Sequence, residues 1–366
     1  MKVGIAFDLR FPESHDCDGQ ELLDAPAKGQ CQPEGSIGRF RSLHASVEQF
    51  PEDVFEELDS IETIEAIESV LYRAGHETLR LGGGRDFLVS VLENPVDIVF
   101  NIAEGWRTRS REAHVPSVLE MLGIPYTGSD PLTLALTLDK GMAKRVVMSA
   151  GVLTPKFAVL RRAEDLNHHL SFPLILKPAW EGSSIGIRRN SKIEDINEFE
   201  EKFEWLINSY REPGLVEEFI QGEEVTVGVM GNGNPRVIGM MMIRPRRGSS
   251  EDFIYSLEVK RNWREEVEYI CPPPLSEETL NELTRSALAA YEALTCRDIA
   301  RLDFRIGKDG MPYFLEANPL PGLNPETGDL PIMMQKEGMP YEELILSILD
   351  HALRRQGLEA KGRACI

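Results

Sequence analysis

Residues 298–318, DIARLDFRIGKDGMPYFLEAN, are two alternating runs joined by GKDG, and no other stretch constrains the fold as tightly. Apolar residues at every second position require a half-buried strand, and a short Gly-containing connection between two such runs predicts a β-hairpin. A hairpin sets Asp303 near Glu316 and Asn318 on neighbouring strands, with Arg301, two residues before Asp303, on the same face. Two carboxylates and a carboxamide are hard oxygen donors and suit Mg²⁺, which usually keeps waters and nucleotide phosphates as its other ligands. Two such ions, bridging adjacent phosphates, would draw off the charge that develops in phosphoryl transfer. Just beyond, PLPG (319–322) bends the chain, so that the Gly322 amide and the Arg301 guanidinium make a donor pair for an oxyanion.

Two further stretches fit a phosphorylated ligand. In LILKPAWEGSSIGI (174–187) an apolar strand delivers Lys177 to a loop of Gly182, Ser183, Ser184 and Gly186, whose backbone amides can approach an anion closely. The bland reading is a glycine-rich hairpin turn, and no G-x-x-x-x-G-K-[ST] pattern occurs. In LVEEFIQGEEVTVGVMG (215–231), Glu217 and Glu218 precede Gly222, and Glu223 and Glu224 open an alternating strand. A carboxylate held there can accept both hydroxyls of a ribose, although a solvated charge run is the commoner cause of four glutamates.

A length of 366 residues implies two or three modules of roughly 100–150 residues each. KVGIAF (2–7), an amphipathic helix over 60–75 with Ser60 as N-cap and Gly75 as C-cap, ETLRL and VDIVFN alternate as strand and helix, which predicts a doubly wound α/β module over 1–128. An insertion, 11–54, interrupts it without steady periodicity and is either a surface loop or a lid. Its His15, Cys17, Cys31 and His44 match no common zinc spacing. The second module is placed at 129–221 and the third at 222–352, ending in the helix YEELILSILDHALRR.

The net charge of −20 argues against nucleic acid and anionic membrane surfaces as partners, since RPRRG (244–248) is the one compact basic cluster. Five scattered cysteines suit a reducing compartment, and no apolar run approaches the ~20 residues of a membrane span. A cytoplasmic protein acting on small molecules is expected.

In order and spacing, LEMLGIPYTGSDPLTLALTLDKGMAK, LKPAWEGSSIGI, VEEFIQGEEVTV and RLDFRIGKDGMPYFLEANPLPG resemble the ATP-grasp superfamily, within it the D-alanine–D-alanine ligase branch, over about residues 56–331. The resemblance implies a three-domain α/β (α+β) fold, ATP with two Mg²⁺ (or Mn²⁺) as cofactors, amino acids or related acids as substrates, and a homodimer as one assembly. It implies that Lys140 and Lys177 contact nucleotide phosphates, Glu217 and the backbone near Ile220 the adenine, and Glu224 the ribose. It puts Ser183 and Ser184 over the phosphates, Asp303, Glu316 and Asn318 on the metals, and Arg301 and Gly322 at the oxyanion. In the family a carboxylate attacks the γ-phosphate, and an amine opens the acyl phosphate to an amide. Related ligases of this class serve mycosporine-like or antibiotic scaffolds, and a non-catalytic nucleotide-binding protein is the reading from another class.

The substrate side departs from the family. EELDS (56–60) stands where the ammonium-binding glutamate is expected, which selects Glu56. YSLEVKR (255–261) keeps Lys260 but has Arg261 in place of an active-site tyrosine, favouring an extra negative charge on the substrate. LNPETGDLP (323–331) lacks a clean counterpart of a carboxylate-binding serine, with Thr327 nearest. NIAEGWRTRSREAHVP (101–116) offers Glu104, Arg111 and Glu112 as substrate contacts or as a polar loop over the carboxyl end of the sheet.

Overall fold

The computed structural model describes residues 1–10, 51–166 and 169–358. Most of the expected insertion, with His15, Cys17, Cys31 and His44, lies outside the described residues.

The first part of the chain runs β1 (Lys2–Ala6), α1 (Ile61–Arg73), β2 (Glu77–Gly82), α2 (Gly84–Glu93), β3 (Ile98–Asn101) and α3 (His114–Leu122). Its three strands are parallel in the order β2-β1-β3. Alternation along β1 divides two cores: Val3, Ile5 and Phe7 meet Ile64 and Ile67 of α1, while Ala6 meets Phe87, Val91 and Leu119 of α2 and α3 on the other face. The doubly wound arrangement thus follows from the sequence period. Ser60 occupies the N-cap of α1 but its side chain makes no cap hydrogen bond, and the C-cap is Ala74, with Gly75 next at φ 85°.

Then come α4 (Pro131–Leu138), α5 (Lys140–Ser149), β4 (Phe157–Leu160), β5 (Leu174–Pro178), β6 (Lys192–Ile193), α6 (Ile196–Tyr210) and β7 (Gly214–Glu218). The four strands form a separate sheet, β4-β7-β5-β6. The last part is β8 (Gly222–Met230), β9 (Arg236–Pro245), α7 (Leu257–Arg261), α8 (Trp263–Glu266), β10 (Val267–Ile270), α9 (Glu277–Ala293), β11 (Ile299–Gly307), β12 (Pro312–Asn318), α10 (Asp329–Lys336) and α11 (Tyr341–Arg355). Its antiparallel sheet has the order β10-β9-β8-β11-β12.

Cores cross these sheets. Ala143 and Val147 of α5 pack with Leu302, Phe304 and Phe314 of the large sheet. The buried stripe of α11, Leu344, Ile345, Ile348, Leu349 and Ala352, closes on β1 and α1. Each fully buried aliphatic side chain there contributes ~1.5–3 kcal/mol. Among the described residues no helix is long and apolar enough to cross a membrane.

Candidate active site

β11 and β12 pair with Asp303 opposite Glu316 and Arg301 opposite Asn318, after a one-residue register shift between Asp303 and Phe304. Asn318 Nδ2 donates to Asp303 Oδ2 at 3.1 Å, Thr226 Oγ1 of β8 donates to Oδ1 at 2.6 Å, and Arg301 Nη2 donates to Oδ2 at 2.8 Å. A second anchor holds the guanidinium, since Asp329 Oδ2 lies 3.7 Å from Arg301 Nη1. Tyr255 and Tyr269 in turn donate to Asp329 Oδ1 at 3.1 and 3.3 Å. Arg301 is thereby fixed against the sheet at the mouth of a cavity.

Glu316 receives Lys140 Nζ at 3.3 Å. Burial pushes its carboxyl up, but Lys140, then Lys177, Lys260 and Arg301 outweigh burial and hold it at about 2. It is a permanent anion beside four cations. Among the described residues no three Asp, Glu, His or Cys side chains converge as a metal site. A hard cation here therefore fits two carboxylates and the Asn318 carboxamide, completed by phosphate and water oxygens.

Three connected cavities run from this point. The largest, about 470 Å³, is lined by Glu56, Lys140, Ser183, Lys260, Arg301, Gly322 and Thr327, together with Glu104 and Glu112. A small one below it shares Lys260, Arg301 and Glu316 and adds Lys177, Ser184, Glu224 and Asp303. The third, a slot between Ile175, Ile187, Phe219, Ile254 and Leu315, contains Lys177, Glu217, Ile220 and Glu224. Apolar walls with one polar end suit a heteroaromatic ring.

The polar end is a buried ion triad. Glu217 is fully buried, with Lys144 Nζ 2.5 Å from Oε1 and Lys177 Nζ 2.6 Å from Oε2. Burial lowers Lys144 to about 8 even with Glu217 beside it, whereas Lys177, also opposed by burial, is raised on balance by Glu217. Lys144 was absent from the sequence-based set. Its signal was available: it stands four residues after Lys140, on the same helix face.

The glycine-rich loop is held in the left-handed region at Ser183 (φ 47°), Ser184 (φ 61°) and Gly186 (φ 73°). Asp53, fully buried, accepts the Gly186 amide at 3.0 Å and the Tyr210 hydroxyl at 2.9 Å, and Arg188 Nη2 lies 3.1 Å away. Ser184 Oγ donates to the Tyr255 carbonyl at 2.8 Å. A side chain at Gly182 would meet the Glu57 carboxylate, which would have to move aside.

Three substrate-side expectations change. Glu56 is not a free ammonium ligand: Arg10 Nη1 reaches its Oε2 at 3.0 Å and Arg261 Nη2 its Oε1 at 2.6 Å. Arg261 is correspondingly not free to select an anion. Opposite charges 205 positions apart in sequence neutralise each other, which spacing along one chain does not reveal. Arg111 is 4% exposed and does not line the large cavity; it pairs with Glu57, Glu181 and the Trp180 carbonyl, tying the first sheet to the glycine-rich loop.

Burial raises Asp59, Glu112 and Glu181 each to about 8 and Glu212 to about 7. A raised carboxyl keeps its proton in the folded state and loses it in the unfolded one, so its stability contribution is lost as pH rises from roughly 4.5 to roughly 8. Glu316 and Glu217 are held low and act only below that interval. Scanning calorimetry should therefore give a lower melting temperature at about pH 8.5 than at about pH 5.5. An unchanged or higher value would mean that these carboxyls are ionised throughout.

A nucleotide slot with paired lysines, a carboxylate-carboxamide hairpin and a glycine-rich loop on a second sheet define an ATP-grasp ligase. Residues 146–350, more than half of the chain, match the family model described as D-ala D-ala ligase C-terminus. The chain belongs to the D-alanine–D-alanine ligase family, whose members are ATP-dependent enzymes forming a C–N bond. It is 35% identical over 298 residues to a D-alanine–D-alanine ligase of Syntrophotalea carbinolica, covering 81% of this chain and 92% of that one. The D-alanine–D-alanine ligase of Bacillus anthracis complexed with ATP superposes with TM-score 0.68 at 22% identity over 98% of this chain and 99% of that one. The VanG D-Ala:D-Ser ligase of Enterococcus faecalis gives 0.66 at 19%, over 96% and 99%.

Proposed function

We propose that this enzyme joins an amino acid or amino-acid-like acid to an amine, through an acyl phosphate, with a substrate pair other than two D-alanines. The observation that carries the reading is the fixed Arg301 beside Asp303, Glu316 and Asn318, at the junction of the nucleotide slot and the large cavity.

Lys177, with Lys140, faces the phosphates, Glu224 the ribose, and Glu217 and the Ile220 backbone the adenine. Asp303, Glu316 and Asn318 would hold Mg²⁺, which when bound would neutralise charge on the phosphates. The acid's carboxylate oxygen bonds to the γ-phosphorus as the bond to ADP breaks. The amine nitrogen then bonds to the acyl carbon, its proton is lost, and phosphate leaves. Arg301 and the Gly322 amide bind the oxyanion of that second step; Lys260, stacked 5.1 Å from the Tyr255 ring, and Ser183 line the path between the two. Positioning and fixed charge supply the catalysis, so no side-chain nucleophile is required.

The substrate difference is supported by Arg261 and Glu56, which occupy each other where the family binds its first amino acid. Phosphate release from ATP and Mg²⁺ with pooled amino acids, followed by mass spectrometry of the product, tests the reading. Stimulated release and an amide of two different partners are expected. Release by no pool would refute it, and a dipeptide of D-alanine alone would refute the substrate claim.

A further inference from the structure

Asp59, Glu104 and Glu112 also line the large cavity. Glu112 is 8% exposed, and among the described residues neither its carboxyl nor those of Glu104 and Asp59 has a hydrogen bond or an ion pair. Its chain neighbour Arg111 is turned away, spent on Glu57, Glu181 and a carbonyl. A carboxyl buried without a partner, as that of Glu112 is, is costly, and a side chain in a cavity that carries this cost is a candidate for compensation by a ligand. The compensating group is a cation, and an ammonium or guanidinium supplies its charge together with hydrogen-bond donors. Glu56, the expected ammonium ligand, is already neutralised by Arg10 and Arg261. One α-ammonium needs one carboxylate; this cavity offers more.

We propose that the acid substrate is a dibasic amino acid, whose second ammonium or guanidinium is received by Glu104 and Glu112. The proposal rests on the ligase reading for the fate of that substrate, but its binding site stands apart from the nucleotide slot. Burial first, then the surrounding charges, set the state of the pair before binding. Glu57 raises Glu112, and Arg111 and Lys140 lower it; Glu112, Glu57 and Asp59 raise Glu104, and Arg111 lowers it. With Glu112 pushed up to about 8, the ligand-free carboxyl is largely protonated at neutral pH, and a bound cation will expel its proton.

Titration calorimetry on the full chain without ATP distinguishes the outcomes. Ornithine, lysine and arginine are compared with norvaline and norleucine, which keep the chain but lack the cation. At least one dibasic amino acid should bind about tenfold or more tightly than its neutral counterpart, the worth of one charge-assisted contact. Its binding enthalpy at neutral pH should vary with buffer ionisation as a proton is released. Glu112→Gln and, as a second variant in case the first fails to fold, Glu104→Gln should each shrink the preference to less than about threefold, and Glu112→Gln should remove the proton release. Equal binding of neutral and dibasic amino acids, or a preference that survives both substitutions, overturns the proposal. Phosphate release stimulated by neutral amino acids alone would overturn it while keeping the ligase reading. Tight ornithine binding with no phosphate release in any pool would keep the cation site and remove the ligase reading.

Discussion

Replacing Arg301 by alanine lowers the ATP-dependent turnover by about 10²–10³-fold while leaving ADP affinity within a few-fold, because the guanidinium acts on charge that exists only in the transition state. The side chain is positioned before any substrate arrives, by Asp303 at 2.8 Å and Asp329 at 3.7 Å. A lysine there keeps the charge but cannot span both carboxylates with one planar fork, so Arg301→Lys should recover only a small part of the loss. Steady-state kinetics of phosphate release, with ADP binding measured separately, checks this. A fall of less than about threefold in turnover, or equal losses in turnover and ADP affinity, would make Arg301 a scaffold residue and move oxyanion stabilisation elsewhere.

Substituting Glu217 by alanine destabilises the fold by about 3–5 kcal/mol, the cost of leaving buried charge without its partner. Lys144 is fully buried and Lys177 nearly so, and both lose their shared counterion. The sign of the pH response separates this cause from lost packing. A lysine with a depressed folded-state value binds fewer protons folded than unfolded, so stability rises with pH between that value and the ordinary one. Lys144 sits at about 8 with Glu217 present and is pushed lower without it, so the deficit of Glu217→Ala should narrow as pH rises toward about 8. Adding Lys144→Met to the Glu217 variant should restore part of the loss. Urea or thermal melts measure both effects. A deficit that does not change with pH and is deepened by Lys144→Met would point to a packing defect.

The hairpin was legible because its information is local: alternation and a four-residue turn mark two paired strands, whereas the one-residue register shift between Asp303 and Phe304 that sets Asp303 against Glu316 was not legible. The doubly wound first sheet was legible for the same reason, since the side-chain period divides its two cores. Ser60 and Gly75 show the grain of such reading: the helix ends fall within a residue of the expected place, but the cap bonds differ because Ser60 Oγ turns to Thr63 Oγ1 at 3.4 Å. Pairings across sheets were not legible. Nothing near Glu217 announces that α5 will deliver Lys144 from the other side, and nothing near Arg261 announces Glu56. In each case the charge was visible and its partner was not. Arg111 is the sharpest instance, an arginine in a polar loop that the fold turns inward as a brace.

Asp53 has a mechanical consequence. Its carboxylate grips the loop amide of Gly186, the hydroxyl of Tyr210 and the guanidinium of Arg188, while a few residues later the same strap reaches the first sheet through Asp59 and Asp8. The strap is short and bonded at both ends, so it acts as a tether of nearly fixed length. Any swing of the small four-stranded sheet that widens the nucleotide slot must either break the Asp53 grip or drag residues 51–59 out of the wall of the large cavity. On the proposed reading, admission of the nucleotide and exposure of the substrate cavity would be geared to a single motion.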